Sequence, residues 1–333
     1  MYVSGSLLPI VAVVLVSGIA VQLLAHRLKV PSVVFYLLIG VVLGPELLGL
    51  VTLETFGNGL ETIVGISVAI IVFEGAFALR IERIRGASTV AFRLVTISAV
   101  VMFLGTAAAV RLFEGASPEI ALLVGALLVA TGPTVVTPIL EVVRVRDHVA
   151  AALETEGIVN DVTAAIVAVV VFETLLLDDL GVPATVLSFL RRFGVGVAAG
   201  LLAAVTIYAL LDSDLVPERD VQASQFLVLA AAVGAFAAAE AVAAEAGIAA
   251  AATGGVVLGN LDIDNREEIE QFTTNATLIV LSFVFISLAA LIDVGAILEL
   301  GAGVLAVVLV VMLALRPLGA LVATAGVERF TWS

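Results

Sequence analysis

The chain has 333 residues, 62% of them hydrophobic and 13% charged, with 29 acidic against 15 basic side chains and a net charge of −14. A soluble domain carries about 45–50% apolar and about 25% charged residues, so this composition excludes an ordinary globular enzyme and requires a polytopic membrane bundle. The acidic balance argues against nucleic acid as a partner, and the absence of cysteine removes disulfides and thiolate metal sites from consideration.

In chain order, apolar stretches run over 6–25, 31–50, 60–79, 89–112, 119–143, 150–176, 190–211, 223–243, 246–261, 272–292 and 300–325. Each is close to the roughly 20 residues that a bilayer-crossing helix needs, so about eleven spans are expected. The first has no basic leader or small-residue cleavage pattern, and His26, Arg27 and Lys29 follow it. It reads as a retained span, not a signal peptide.

Basic residues orient the bundle, because short cytoplasmic loops retain them. With the N-terminus outside, eleven basic residues (Arg27, Lys29, Arg80, Arg83, Arg85, Arg93, Arg144, Arg146, Arg219, Arg266 and Arg329) fall inside. Three, Arg111, Arg191 and Arg192, fall outside, and the Arg191-Arg192 pair is read as the cap of an interfacial segment over 184–192. This orientation puts Ser333 in the cytoplasm. With Lys29 the single lysine, the loops are acidic and lysine-poor, which suits a salt-rich medium where repulsion is screened.

Charges at membrane depth mark ion pathways, because an unsatisfied polar group there is costly. The sixth span carries Glu154-Thr155-Glu156-Gly157-Ile158-Val159-Asn160-Asp161. Helical geometry puts Glu156 and Asn160 on one face, with Asp161 about 100° further round. Glu154 also fits the plain polar end of a helix; Asp161, deep in apolar chain, does not.

The span before it carries Ala130-Thr131-Gly132-Pro133-Thr134-Val135-Val136-Thr137-Pro138. Two prolines remove two backbone donors and Pro133 disfavours helical geometry at Gly132, so a discontinuous helix is expected near the midplane. Broken helices offer free backbone groups to ions beside a carboxylate; the plain alternative is a proline kink. Two further charges need partners: Arg316, deep in the eleventh span, for which Glu156 is a candidate, and Glu74, near the inner end of the third. Glu74 also fits a helix-end ion pair with Arg80.

The remaining features point nowhere specific. Glu240, Glu245, Asp293 and Glu299 read as solvated helix ends, and His26 and His148 have no metal-ligand spacing. Gly254-Gly255 lies inside a span, where small residues serve close packing. No phosphate-binding loop occurs, so no cofactor is expected and catalysis on an organic substrate has no support.

The string Glu156-Gly157-Ile158-Val159-Asn160-Asp161 resembles the Glu-x-x-x-Asn-Asp signature of the NhaP/NHE-type monovalent cation:proton antiporters. Ala130-Thr131-Gly132-Pro133-Thr134 resembles their broken-helix motif. The similarity continues through Val30-Pro31, Leu43-Gly44-Pro45, Phe73-Glu74-Gly75, Gly247 to Gly259-Asn260, and Arg316-Pro317, and so covers essentially the whole chain. It implies an all-α membrane protein with an inverted-repeat antiporter fold, a single transmembrane exchanger domain over 1–333, and a homodimer in the cell membrane.

The resemblance also implies roles. Asp161 matches the cation- and proton-binding carboxylate, with Thr131 and Glu74 completing the site. Asn160 orients it, Gly132 and Pro133 belong to the break, and Glu156 and Arg316 match a structural ion pair. The implied activity is exchange of sodium or potassium for protons by alternating access, electroneutral because Asn160 leaves one titrating carboxylate in the cluster.

Two departures bear on this. Many relatives have aspartate where Gly132 stands and serine where Gly157 stands, which takes oxygen ligands from the site and leaves a potassium:proton exchanger or potassium channel as alternatives. The family has about thirteen spans in two inverted repeats, and this chain stops after the eleventh. A second repeat lacking its last two helices is therefore expected, with a non-transporting fragment as the corresponding alternative.

Overall fold

With no water in a bilayer core, each backbone donor of an apolar segment must bond within the segment, and the described structure of this chain is accordingly helical. The computed structural model describes residues 7–28, 30–52, 59–82, 89–131, 136, 140, 143, 145–172, 182–213 and 220–327. Helices occupy Leu7–Leu28 (α1), Ser32–Leu43 (α2), Gly59–Phe77 (α3), Thr89–Glu114 (α4), Pro118–Leu127 (α5) and Asp147–Phe172 (α6). They continue with Val182–Leu211 (α7), Val221–Val242 (α8), Gly247–Asn260 (α9), Arg266–Ala290 (α10) and Val294–Thr324 (α11). Among the described residues, six stretches, in α1, α4, α7, α8, α10 and α11, are long and apolar enough to cross a membrane. The others are shorter apolar helices.

Each expected apolar stretch overlaps a described helix, with informative differences at the ends. The helix of α10 begins at Arg266, six residues before the expected apolar start, because four of the five residues from Glu267 to Gln271 are polar but helix-forming. Continuous helix runs through Arg191-Arg192 in α7: no glycine or proline lies between Pro183 and Phe193 to stop it. Glu240 is not a solvated helix end. Its carboxylate accepts the backbone N–H of Glu245 at 2.8 Å and of Gly247 at 3.0 Å, clipping the turn from α8 into α9. Asp293 caps α11 through the N–H of Ala296 at 2.9 Å, joined by Glu46, which accepts from Val294 at 2.8 Å. At Gly301 φ is +66°, so α11 bends there.

The chain divides into two units. The first comprises residues 1–78 and 196–296. Its core packs α1, α2 and α10 through Val14, Tyr36 and Ile286, and α3, α8 and α9 through Phe73, Phe77, Val228 and Leu258. Helix α9 approaches α3 closely: a Cβ on Gly255 would stand 2.5 Å from the Phe73 carbonyl oxygen, and one on Gly259 would collide with Phe77. This is the small-residue packing expected of the paired glycines, and it fixes the rotation of α3 about its axis.

The second unit comprises residues 79–195 and 297–333. Here α4 packs on α5 through Ala107, Val110 and Ala121, and Met102, Val129 and Ala164 join α4, the end of α5 and α6. Both α4 and α11 contain a single π turn, Leu94–Ser98 and Val311–Leu315. Large apolar side chains such as Leu112, Leu298 and Leu313 are more than two-thirds exposed, which suits a surface solvated by lipid.

Candidate functional site

The second unit holds most of the residues singled out by sequence. Helix α5 starts cleanly, with Pro118 in its first turn and the Ser117 hydroxyl accepting from the N–H of Ile120 at 3.4 Å. It stops after only 10 residues at Leu127, about half the length needed to cross a bilayer. The chain then turns through Leu128 and Val129. Gly132 and Pro133 themselves fall outside the described residues.

A helix that ends inside a bilayer leaves carbonyls unpaired. Arg316 reaches the chain just past this end: its Nη2 donates to the oxygens of Leu128, the C-cap, and of Ala130 at 3.4 and 3.3 Å. The π turn directly before Arg316 changes the register of α11, and Pro317 directly after it has no N–H to contribute to the ladder. Cation and carbonyl dipoles are thus opposed favourably.

The other arm of Arg316 lies toward α6. Its Nη1 is 3.6 Å from Glu156 Oε1, and Asn160 Nδ2 donates to that same oxygen at 3.3 Å. Glu156 is 7% exposed and Asn160 2% exposed, so one buried carboxylate is shared by a guanidinium and an amide one helical turn apart. The backbone of Asp161 is helical in α6, immediately after Asn160; its side chain falls outside the described residues. Of seven buried side-chain polar atoms with no hydrogen-bond partner among the described residues, two lie in this region, Thr131 Oγ1 and Asn160 Oδ1. Buried polar atoms are rarely left so, and each such orphan is a candidate ligand.

Glu74 belongs to the first unit. With Phe73 and Phe77 turned onto α9, Glu74 sits on another face of α3, where its Oε1 accepts a hydrogen bond from the Thr274 hydroxyl of α10 at 2.9 Å. Hydropathy does not single out Thr274. Its signal is a stripe of polar residues at helical spacing, Glu267, Glu270, Gln271, Thr274 and Asn275, hidden when the apolar span is started at 272.

A family model described as "Sodium/hydrogen exchanger, transmembrane" matches residues 11–333. The chain belongs to the sodium/hydrogen exchanger family. Among curated members of this exchanger group, it is 30% identical over 149 residues to Na(+)/H(+) antiporter 1 of Methanocaldococcus jannaschii, covering 44% of this chain and 35% of that protein. It is 25% identical over 202 residues to K(+)/H(+) antiporter NhaP2 of Shewanella sp. strain ANA-3, covering 60% of this chain and 34% of that one. The match therefore spans about a third of each relative. The fold is that of the solved sodium proton antiporter MjNhaP1 from Methanocaldococcus jannaschii, with a TM-score of 0.78 at 24% identity over 96% of this chain and 78% of that one. An exchanger-family chain with helices of this length and composition is a multi-pass membrane protein.

Proposed function

We propose that this chain exchanges a monovalent cation, sodium or potassium, for protons across the cell membrane, with Asp161 as the shared carboxylate. The observation that carries the reading is the pair of orphaned buried oxygens, Thr131 Oγ1 and Asn160 Oδ1, at the broken end of α5 and on the helix that bears Asp161. A hard monovalent cation leaving water needs replacement oxygens. A hydroxyl, an amide oxygen and a carboxylate are a donor set of that chemistry, and the family resemblance adds Glu74 as a further carboxylate.

A proton and a cation compete for Asp161, so neither crosses without the other returning. Bound proton and bound monovalent cation leave the site with the same charge, which makes one-for-one, electroneutral exchange by alternating access the natural stoichiometry. Arg316 and Glu156 do not carry ions in this scheme: they hold the end of α5 against α6. In the bilayer, the chain makes about eleven spans in an inverted-repeat arrangement, with its N-terminus outside, Ser333 in the cytoplasm, and a second copy beside it as a homodimer.

The test is cation flux into lipid vesicles under an imposed pH gradient, with sodium and potassium compared. The reading expects uptake that vanishes when the gradient is collapsed and no membrane potential dependence. Uptake that persists without the gradient would instead favour a channel.

A further inference from the structure

We propose that the groove between α1 and α10 holds one chain of an anionic phospholipid, with Gln22 donating to the oxygens at its glycerol end and Arg27 facing its phosphate. All residues involved belong to the first unit, and nothing in the exchange reading enters. A cavity of about 260 Å³ opens there, lined by Leu15, Ile19, Gln22 and Leu23 of α1, Tyr36 of α2 and Ile279 of α10. Gly18 and Ser282 also line it. A Cβ on Gly18 would stand 2.6 Å from Ser282 Oγ, so the two helices touch at that point, and with no side chain on Gly18 the space beside it stays open.

An apolar cavity does not hold water, and about 150 Å³ is already enough for a benzene-sized guest. The rim of this one decides the guest. Ile19, Leu23 and Ile279 are 59%, 66% and 56% exposed, so the opening lies on the apolar surface that a bilayer solvates in a multi-pass membrane protein. A lipid chain is what stands before it. Chain contacts alone give no selectivity, because the hydrocarbon outside is as apolar as the lining. Selection must come from the polar end of the lipid.

Two features supply it. Gln22 is a half-buried polar residue within the apolar helix α1. Its Oε1 accepts from the Tyr36 hydroxyl at 2.7 Å, which engages one end of the amide and leaves the two Nε2 hydrogens without a partner among the described residues. A role as partner for Tyr36 accounts for the oxygen only. Gln22 lies six residues before the end of α1 at Leu28, about 9 Å along the axis, on the order of one interfacial layer of a bilayer. His26 and Arg27 stand in the last turn, both exposed. Leu15, Ile19, Gln22 and His26 share one helical face, and Arg27 is one turn beyond Leu23. Positive charge at a helix C-terminus complements the dipole, which explains the cations but not an amide with free donors between them and an apolar cavity. Cation, amide donor and cavity follow one another along α1 in the order of phosphate, glycerol oxygens and hydrocarbon chain in one lipid.

The experiment keeps the full chain in mild detergent and adds phosphatidylglycerol or phosphatidylcholine with identical chains, counting bound lipid by native mass spectrometry and following the thermal midpoint. One phosphatidylglycerol is expected to remain per chain, with an apparent affinity about fivefold above that of phosphatidylcholine, the factor that one basic residue near an anionic surface gives. Arg27→Gln is expected to erase the preference while phosphatidylcholine binding stays as it was. Ile19→Trp, which fills the cavity from an exposed rim position, is expected to lose retained lipid of both kinds with an unchanged midpoint in lipid-free detergent. Equal affinity for the two lipids, a preference that survives Arg27→Gln, or full lipid retention in Ile19→Trp would overturn the proposal. So would an Ile19→Trp chain that changes its oligomeric state at unchanged lipid occupancy, since a second copy would then cover the groove. None of these readouts uses cation flux, so failure here leaves the exchange reading untouched.

Discussion

Arg316 of α11 stands 3.6 Å from Glu156 of α6 while its other terminal nitrogen reaches the carbonyls that end α5. One guanidinium therefore compensates both a buried carboxylate and a helix terminus inside the bundle. Replacing Arg316 with alanine should destabilise the chain by about 3 kcal/mol, the lower part of the range for breaking a buried pair because the arginine is partly exposed. The loss should be read as a drop in thermal midpoint in detergent. Adding Glu156→Ala to Arg316→Ala should cost less than the sum of the two single changes, since the second removes a charge the first has orphaned. Strict additivity would show that the pair does not couple.

Thr131→Val removes a hydroxyl that has no partner among the described residues. Stability should therefore change by no more than about 0.5 kcal/mol, or rise, since an unsatisfied buried group is lost. Cation affinity should fall between about threefold and tenfold, the effect of one oxygen ligand. A calorimetric titration with sodium alongside thermal melting checks both halves; a stability loss with unchanged affinity would make the hydroxyl structural.

Close packing of α9 on α3 predicts intolerance at two glycines. Gly255→Ala places a methyl 2.5 Å from the Phe73 carbonyl oxygen, and the strain should cost about 1–3 kcal/mol. If Glu74 depends on the rotation of α3, the same substitution should also raise half-saturation for the cation in flux assays.

The α8–α9 turn supplies an independent check on local structure. Glu240→Ala leaves the N–H groups of Glu245 and Gly247 without their carboxylate, at a cost of about 1–2 kcal/mol. Amide hydrogen exchange at those two residues should quicken, while that of α3 stays as it was.

Much of this is legible in the sequence because membrane insertion leaves few polar exceptions to explain. Apolar runs each overlap a described helix, and the i, i+4 spacing puts Glu156 and Asn160 on one face. What is not legible is informative. α5 ends at Leu127, the proline segment lies outside the described residues, and nothing in a one-dimensional pattern says that Arg316 turns to the Leu128 and Ala130 carbonyls beyond that end. Thr274 is invisible because hydropathy averages Glu267 to Gln271 into a loop, although they extend the helix. Glu240 is hidden for a related reason: a carboxylate at a helix end is ordinary by composition, and only the positive φ of Glu245, +65°, brings two N–H groups round to it.

Under the proposed exchange one carboxylate, Asp161, takes proton and cation in turn. It is tested most directly by reconstituting Asp161→Asn beside the unaltered chain and measuring proton-driven sodium and potassium exchange together with cation-dependent thermal stabilisation. The variant should fold with a similar melting temperature in the absence of cation, show no exchange with either ion, and gain no stability as cation is added. Exchange at the unaltered rate in Asp161→Asn would contradict it.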